Sequence, residues 1–108
     1  MGKLVRDMVP DLIRESGWTP RISTLDDVAY RVALYDKLNE EVAELQLAQS
    51  IDEVVDEAAD VLEVLIAFVA TQGITLDTIC KAAQRKRSER GGFDMRLWLI
   101  DVDPDGDS

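Results

Sequence analysis

Ten acidic residues fall between Leu38 and Cys80, namely Glu40, Glu41, Glu44, Asp52, Glu53, Asp56, Glu57, Asp60, Glu63 and Asp77, and no Lys or Arg falls among them. Carboxylates at such density offer two kinds of chemistry: proton transfer and the binding of hard cations through oxygen. Two pairs stand out by spacing. Glu41 and Glu44 are three residues apart, as are Glu57 and Asp60, so on helices each pair occupies one face. If the two segments form an antiparallel hairpin, facing residues share a constant sum of residue numbers. Glu41 then faces Asp60 and Glu44 faces Glu57, because both pairs have the same sum, and the midpoint falls between Ser50 and Ile51.

Four carboxylates on one seam repel one another by about 3 kcal/mol per pair at a separation of about 5 Å and an effective dielectric of roughly 20. A divalent cation relieves that repulsion. Mg²⁺ fits the donor set, since it takes oxygen ligands, keeps several waters and binds a few carboxylates together with substrate phosphates; Mn²⁺ is the expected substitute. A di-iron bundle site needs a Glu-x-x-His motif, and the chain has no histidine. The plainer alternative is that these acids are solvated helix surface, as most helical acids are. Against it, Glu41 interrupts an otherwise apolar seam.

The elements that must position these residues can be read from their ends. Pro10 opens a short helix that Gly17 stops. Thr24 is a cap with Leu25, Asp26 and Asp27 following, and a helical pattern runs from there to about Gln49. Ser50 with Glu53 three residues later forms a capping box, so the next helix begins at about Ile51 and runs to Gln72, where Gly73 supplies the stop. So short a connection makes the two helices antiparallel neighbours. The expected seam is Leu34, Leu38, Leu45 and Ala48 against Val54, Ala58, Val61, Leu65 and Phe68. Thr75 can cap a further helix reaching about Arg90, ended by Gly91 and Gly92. Met95 to Val102 reads as a short strand or an extended arm. The fold class is all-α: an antiparallel helical hairpin with flanking helices, in a single domain over residues 1–100, followed by an acidic and disordered tail over 101–108.

Composition narrows the class. The chain has 108 residues, with 22 acidic against 12 basic side chains and a net charge of −10. That charge disfavours nucleic acid and anionic membranes as partners. No apolar run approaches the roughly 20 residues of a transmembrane helix. With Cys80 as the single cysteine, disulfide and zinc frameworks are excluded, and a cytoplasmic setting is expected. A chain this short is near the lower limit for a self-sufficient core, so an oligomer is expected.

Glu40-Glu41-Val42-Ala43-Glu44 followed by Glu57-Ala58-Ala59-Asp60-Val61-Leu62 resembles the Glu-Glu-x-x-Glu and Glu-x-x-Asp signature of the all-α NTP pyrophosphohydrolase (MazG-like) superfamily. Lys3-Leu4-Val5-Arg6-Asp7, Pro10, Lys37-Leu38, Lys86-Arg87 and Arg90-Gly91-Gly92-Phe93 are similar to its house-cleaning branch, often labelled phosphoribosyl-ATP pyrophosphohydrolase-like. The likeness runs to about Val102. It implies a helical bundle completed by oligomerisation as a homodimer or homotetramer, and Mg-dependent hydrolysis of a nucleoside triphosphate, standard or damaged, to the monophosphate and pyrophosphate. Glu41, Glu44, Glu57 and Asp60 would then hold the metal, with Glu40, Glu41 and Glu44 the candidates for catalytic duty. Lys3, Arg6 and Lys37 would approach the substrate phosphates.

Lys86 and Arg90, four apart before a glycine pair, are further phosphate-binding candidates, although basic residues at a helix end also satisfy the helix dipole. Trp18, Tyr30, Tyr35, Phe68, Phe93 and Trp98 are the aromatic stock for a base pocket. Asp101 to Ser108 matches the first half of a calcium-binding EF-hand loop but ends before the bidentate Glu, and reads as acidic tail. Two rivals remain. Hydrolysis of phosphoribosyl-ATP in histidine biosynthesis is one, although that relative usually places a Tyr-His dipeptide and an Arg in the second helix of the hairpin, whereas here Asp60 is followed by Val61-Leu62-Glu63-Val64-Leu65. A non-enzymatic helical module with an acidic groove is the other.

Overall fold

A computed structural model describes residues 2–104; the end of the EF-hand-like stretch, Asp105 to Ser108, lies outside them. Among the described residues there are four helices and no strand: α1 (Val9–Glu15), α2 (Asp27–Gln46), α3 (Ile51–Ala70) and α4 (Leu76–Arg90). The chain divides into two compact units, Met1–Leu76 and Asp77–Ser108.

In the first unit α2 packs against α3 as an antiparallel hairpin. Its corner is built from local chemistry. The Ser50 hydroxyl accepts from the Glu53 amide at 3.1 Å, and the Glu53 carboxylate reaches back to the Gln49 amide at 2.8 Å, the two halves of a capping box moved by one residue on the return side. Gly17 and Gly73 take positive φ, +94° and +73°, at the stops after α1 and α3.

Several boundaries differ from the sequence reading. Asp26, rather than Thr24, caps α2, its carboxylate accepting from the Ala29 amide at 2.8 Å; an ionised cap also complements the helix dipole. The helix ends at Gln46 rather than Gln49, and α3 ends at Ala70 rather than Gln72. The early end of α2 explains a difference in the seam. Val54 would face position 47, already past the helix, and it is left exposed; Ala58, which would face Ala43 within α2, is exposed as well, and the helix end does not account for it.

Leu34 is fully packed, at 2% exposure, and Leu38, Leu45, Ala48, Val61, Leu65 and Phe68 are half-buried along the hairpin. Tyr35 and Phe68 meet across the hairpin with ring centroids 6.1 Å apart at 56°, a tilted aromatic pair. The amino-terminal segment before α1 returns to the hairpin, where Arg6 bonds Asp60.

In the second unit α4 carries helical ion pairs from Lys81 to Asp77 and from Arg85 to Glu89, at 3.1 and 4.0 Å. Gly91 ends it with φ +83°, and its amide donates to the Arg87 carbonyl at 2.8 Å. The segment expected as strand or arm carries no strand: Leu97, Trp98, Leu99 and Ile100 are unpaired with any other strand and exposed. No helix among the described residues is long and apolar enough to cross a membrane.

Candidate active site

The hairpin brings three of the four expected carboxylates together. One oxygen each from Glu41, Glu44 and Glu57 lies within 4.8 Å of the others. They arrive by the facing rule of the hairpin: Glu41 and Glu44 share a face of α2, and Glu57 enters from α3. Glu41 is the unusual member, a charged side chain only 6% exposed in the middle of the α2 seam.

Lys37, one turn before it, lies 3.4 Å from its Oε1 and also bonds Glu40 at 3.3 Å. Burial raises the Glu41 pKa above the ordinary 4.5; the hydrogen bond and charge of Lys37 pull it back, while the like charges of Glu44 and Asp60 push it further up. Lys37 has a raised pKa as well. Partial burial works against its charge, but the hydrogen bonds and charges of Glu40 and Glu41 outweigh that, so it stays protonated.

The fourth carboxylate is occupied differently. Asp60 Oδ1 accepts from Arg6 Nη2 at 2.7 Å, and it is not part of the converging trio. Glu40 turns to Lys37 and is about half exposed. Lys3, Arg6 and Lys37 line a cavity of about 630 Å³ that also reaches Glu41, Asp60 and Glu63, with Leu4, Met8, Tyr30, Leu34, Val64 and Ala67 among its apolar walls. That volume is in the range of small-molecule sites. Lys86 and Arg90 lie on α4 in the second unit, both exposed.

Of the cavity's apolar wall, Leu4, Met8, Val64 and Ala67 are not among the residues expected from sequence. Val64 and Ala67 follow Asp60 at helical spacing, a signal that was present, whereas Leu4 and Met8 sit in a non-helical lead-in that has no periodicity to read.

The residues fit a divalent cation. Glu41 Oε2 and Glu57 Oε2 are buried and accept no hydrogen bond, so two carboxylate oxygens lack a partner to replace the water they have lost. An all-oxygen carboxylate set is what Mg²⁺ or Mn²⁺ takes.

The model of the phosphoribosyl-ATP pyrophosphohydrolase family matches residues 6–87. The chain belongs to this family. The matched stretch of the family domain takes in α1, the whole carboxylate hairpin and most of α4. An uncharacterized protein of Mycolicibacterium smegmatis is 58% identical over 52 residues, 48% of this chain and 53% of that relative. The chain thus spans about half the length of the curated relative that it matches. No solved structure matches it.

Proposed function

We propose that the protein is a metal-dependent pyrophosphohydrolase that cleaves a nucleoside triphosphate, standard or damaged, to the monophosphate and pyrophosphate. The observation that carries this reading is the convergence of Glu41, Glu44 and Glu57, two of them with buried unpaired oxygens, with Glu41 also lining the cavity that holds Lys3, Arg6 and Lys37. Family membership supports it.

Glu41, Glu44 and Glu57, with Asp60 as a fourth candidate, would hold Mg²⁺, which when bound supplies charge neutralisation and Lewis acidity at the phosphate oxygens. Lys3, Arg6 and Lys37 bind the polyphosphate and orient it by charge-assisted hydrogen bonds. Glu44, the exposed member of the trio, is the carboxylate open to solvent, and its oxygen receives the proton of the attacking water. Glu40, paired with Lys37, holds that lysine in place.

A homodimer or homotetramer completes the fold in this reading. Beside its buried stripe, α2 carries a second apolar stripe of Val28, Val32, Tyr35 and Val42, and α3 carries Ile51, Val55 and Leu62, all exposed. At helical spacing these are faces suited to a second hairpin. The Mg-dependent, house-cleaning role in the cytoplasm is part of the same proposal.

The test is pyrophosphate release from a panel of standard, oxidised and alkylated nucleotides, with and without Mg²⁺. Metal-dependent turnover of at least one is expected; folded protein that turns over none sinks the reading. The family description favours one alternative substrate, phosphoribosyl-ATP, and complementation of a histidine-requiring strain separates it from the leading reading.

A further inference from the structure

Among the described residues every ion pair but one joins neighbours within a helical turn; the exception is Arg6 with Asp60, 54 residues apart. Three observations meet at this pair. Asp60 follows Glu57 by three residues on the same helix face, and its charge is felt at Glu41, yet it stands outside the converging trio. Arg6 lines the same cavity as Lys3 and Lys37, so the guanidinium that neutralises Asp60 stands where a polyphosphate would lie. Both side chains are partly exposed, at 59% and 39%, and an ion pair so accessible to water is screened and weakly held. It can be exchanged at little cost.

We propose that Arg6 is an exchangeable counter-ion that couples the cation site to the phosphate site. In the metal-free protein it holds Asp60. When a divalent cation binds, Asp60 turns to join Glu41, Glu44 and Glu57, and the released guanidinium takes a phosphate of the incoming nucleotide, a partner whose geometry suits its planar fork. Arg6 is then a substrate ligand only in the loaded state. The proposal rests on the pyrophosphohydrolase reading given above.

The opposite role makes the opposite prediction. If Arg6 only oriented Asp60 as a supporting partner to the metal, its removal would weaken cation binding. If it competes for Asp60, removal strengthens it.

The experiment is calorimetric titration of the full chain with Mg²⁺ alone and with preformed magnesium tripolyphosphate, for the wild type, Arg6→Gln, Asp60→Asn, the double variant and Lys3→Gln. Arg6→Gln is expected to bind Mg²⁺ about fivefold more tightly and magnesium tripolyphosphate about tenfold more weakly, within the usual range for coupled sites. In the Asp60→Asn background the same change should alter Mg²⁺ affinity by less than about twofold, because the competing carboxylate is gone. Lys3→Gln, which removes an equal charge from the same cavity, should also change it by less than about twofold. Unchanged or weaker Mg²⁺ binding in Arg6→Gln, an equal effect in the Asp60→Asn background or in Lys3→Gln, or a wild type that binds no Mg²⁺ overturns the proposal. Should Arg6→Gln not fold, the guanidinium nitrogen resonances of Arg6 in the native chain provide the second measurement. They should move on Mg²⁺ addition and again with magnesium tripolyphosphate, and resonances that stay fixed overturn it. An active enzyme with an additive mutant cycle loses the exchange alone; a coupled protein without turnover on any nucleotide loses the enzymatic reading alone.

Discussion

Glu41 on α2 and Glu57 on α3 each bury an Oε2 that accepts no hydrogen bond, and the two side chains converge with Glu44 from opposite arms of one hairpin. Such an arrangement is costly in the absence of a cation, and the cost makes it testable.

Mg²⁺ should raise the melting temperature of the protein. At about a hundredfold excess over Kd, linkage stabilises a binding-competent fold by about 2.7 kcal/mol, a shift on the order of 10 °C for a chain of this size. In Glu41→Gln and Glu57→Gln the shift should largely vanish, while their metal-free melting temperatures rise above that of the wild type. A native protein indifferent to Mg²⁺ would favour the acidic interaction module.

Metal-free stability should also depend on pH through Glu41. Its folded pKa lies above the ordinary 4.5, chiefly through burial, with Lys37 opposing and Glu44 and Asp60 reinforcing. The folded state therefore binds the proton more tightly than the unfolded chain, and stability falls as pH rises from about 4.5 through the raised folded value, then levels. Denaturant melts of wild type and Glu41→Gln across that window should show a difference that grows with pH and then becomes constant.

Loss of a carboxylate from the trio should abolish catalysis more thoroughly than loss of a cation from the cavity. Glu57→Gln is expected to lower kcat by more than about 100-fold, since even supporting residues around a metal typically contribute 10- to 100-fold. Lys37→Gln should act mainly on KM, raising it about tenfold. Steady-state kinetics on whichever nucleotide is turned over provide the check.

Charge placed on the exposed apolar stripe should break self-association. Val32→Glu and Leu62→Glu would bury an unpaired carboxylate in any interface made by these faces, at a cost of several kcal/mol. Light scattering after size exclusion should show an oligomer for the wild type and a smaller species for both variants; a monomeric wild type refutes the oligomer.

At Gly73, φ is +73° and an added Cβ would meet nothing within 4 Å. Gly73→Ala should therefore destabilise by about 1–2 kcal/mol through the backbone alone, read as a lower denaturation midpoint with unchanged slope.

Much of this site was legible because helical hairpins convert residue number into position. The capping box at Ser50 and Glu53 located the corner, the glycines after α1, α3 and α4 located the stops, and from the corner the facing rule placed Glu41 and Glu44 near Glu57. These are local signals, each written within a few residues. Thr24 misled for the same reason. It and Asp26 are both competent caps, and only the geometry of the entering chain selected Asp26, whose carboxylate reaches the Ala29 amide.

What the amino-acid sequence determined by itself was the helical hairpin, its approximate ends and the facing of the carboxylates, because propensity, capping and periodicity act over a single turn. Tertiary structure decided the rest. That Asp60 pairs with Arg6 and that Leu4, Met8, Val64 and Ala67 share a cavity wall both depend on the path of a non-helical amino-terminal segment over the hairpin. Such a segment has no periodicity, and its burial and charge pairing are set by whatever surface it folds back upon.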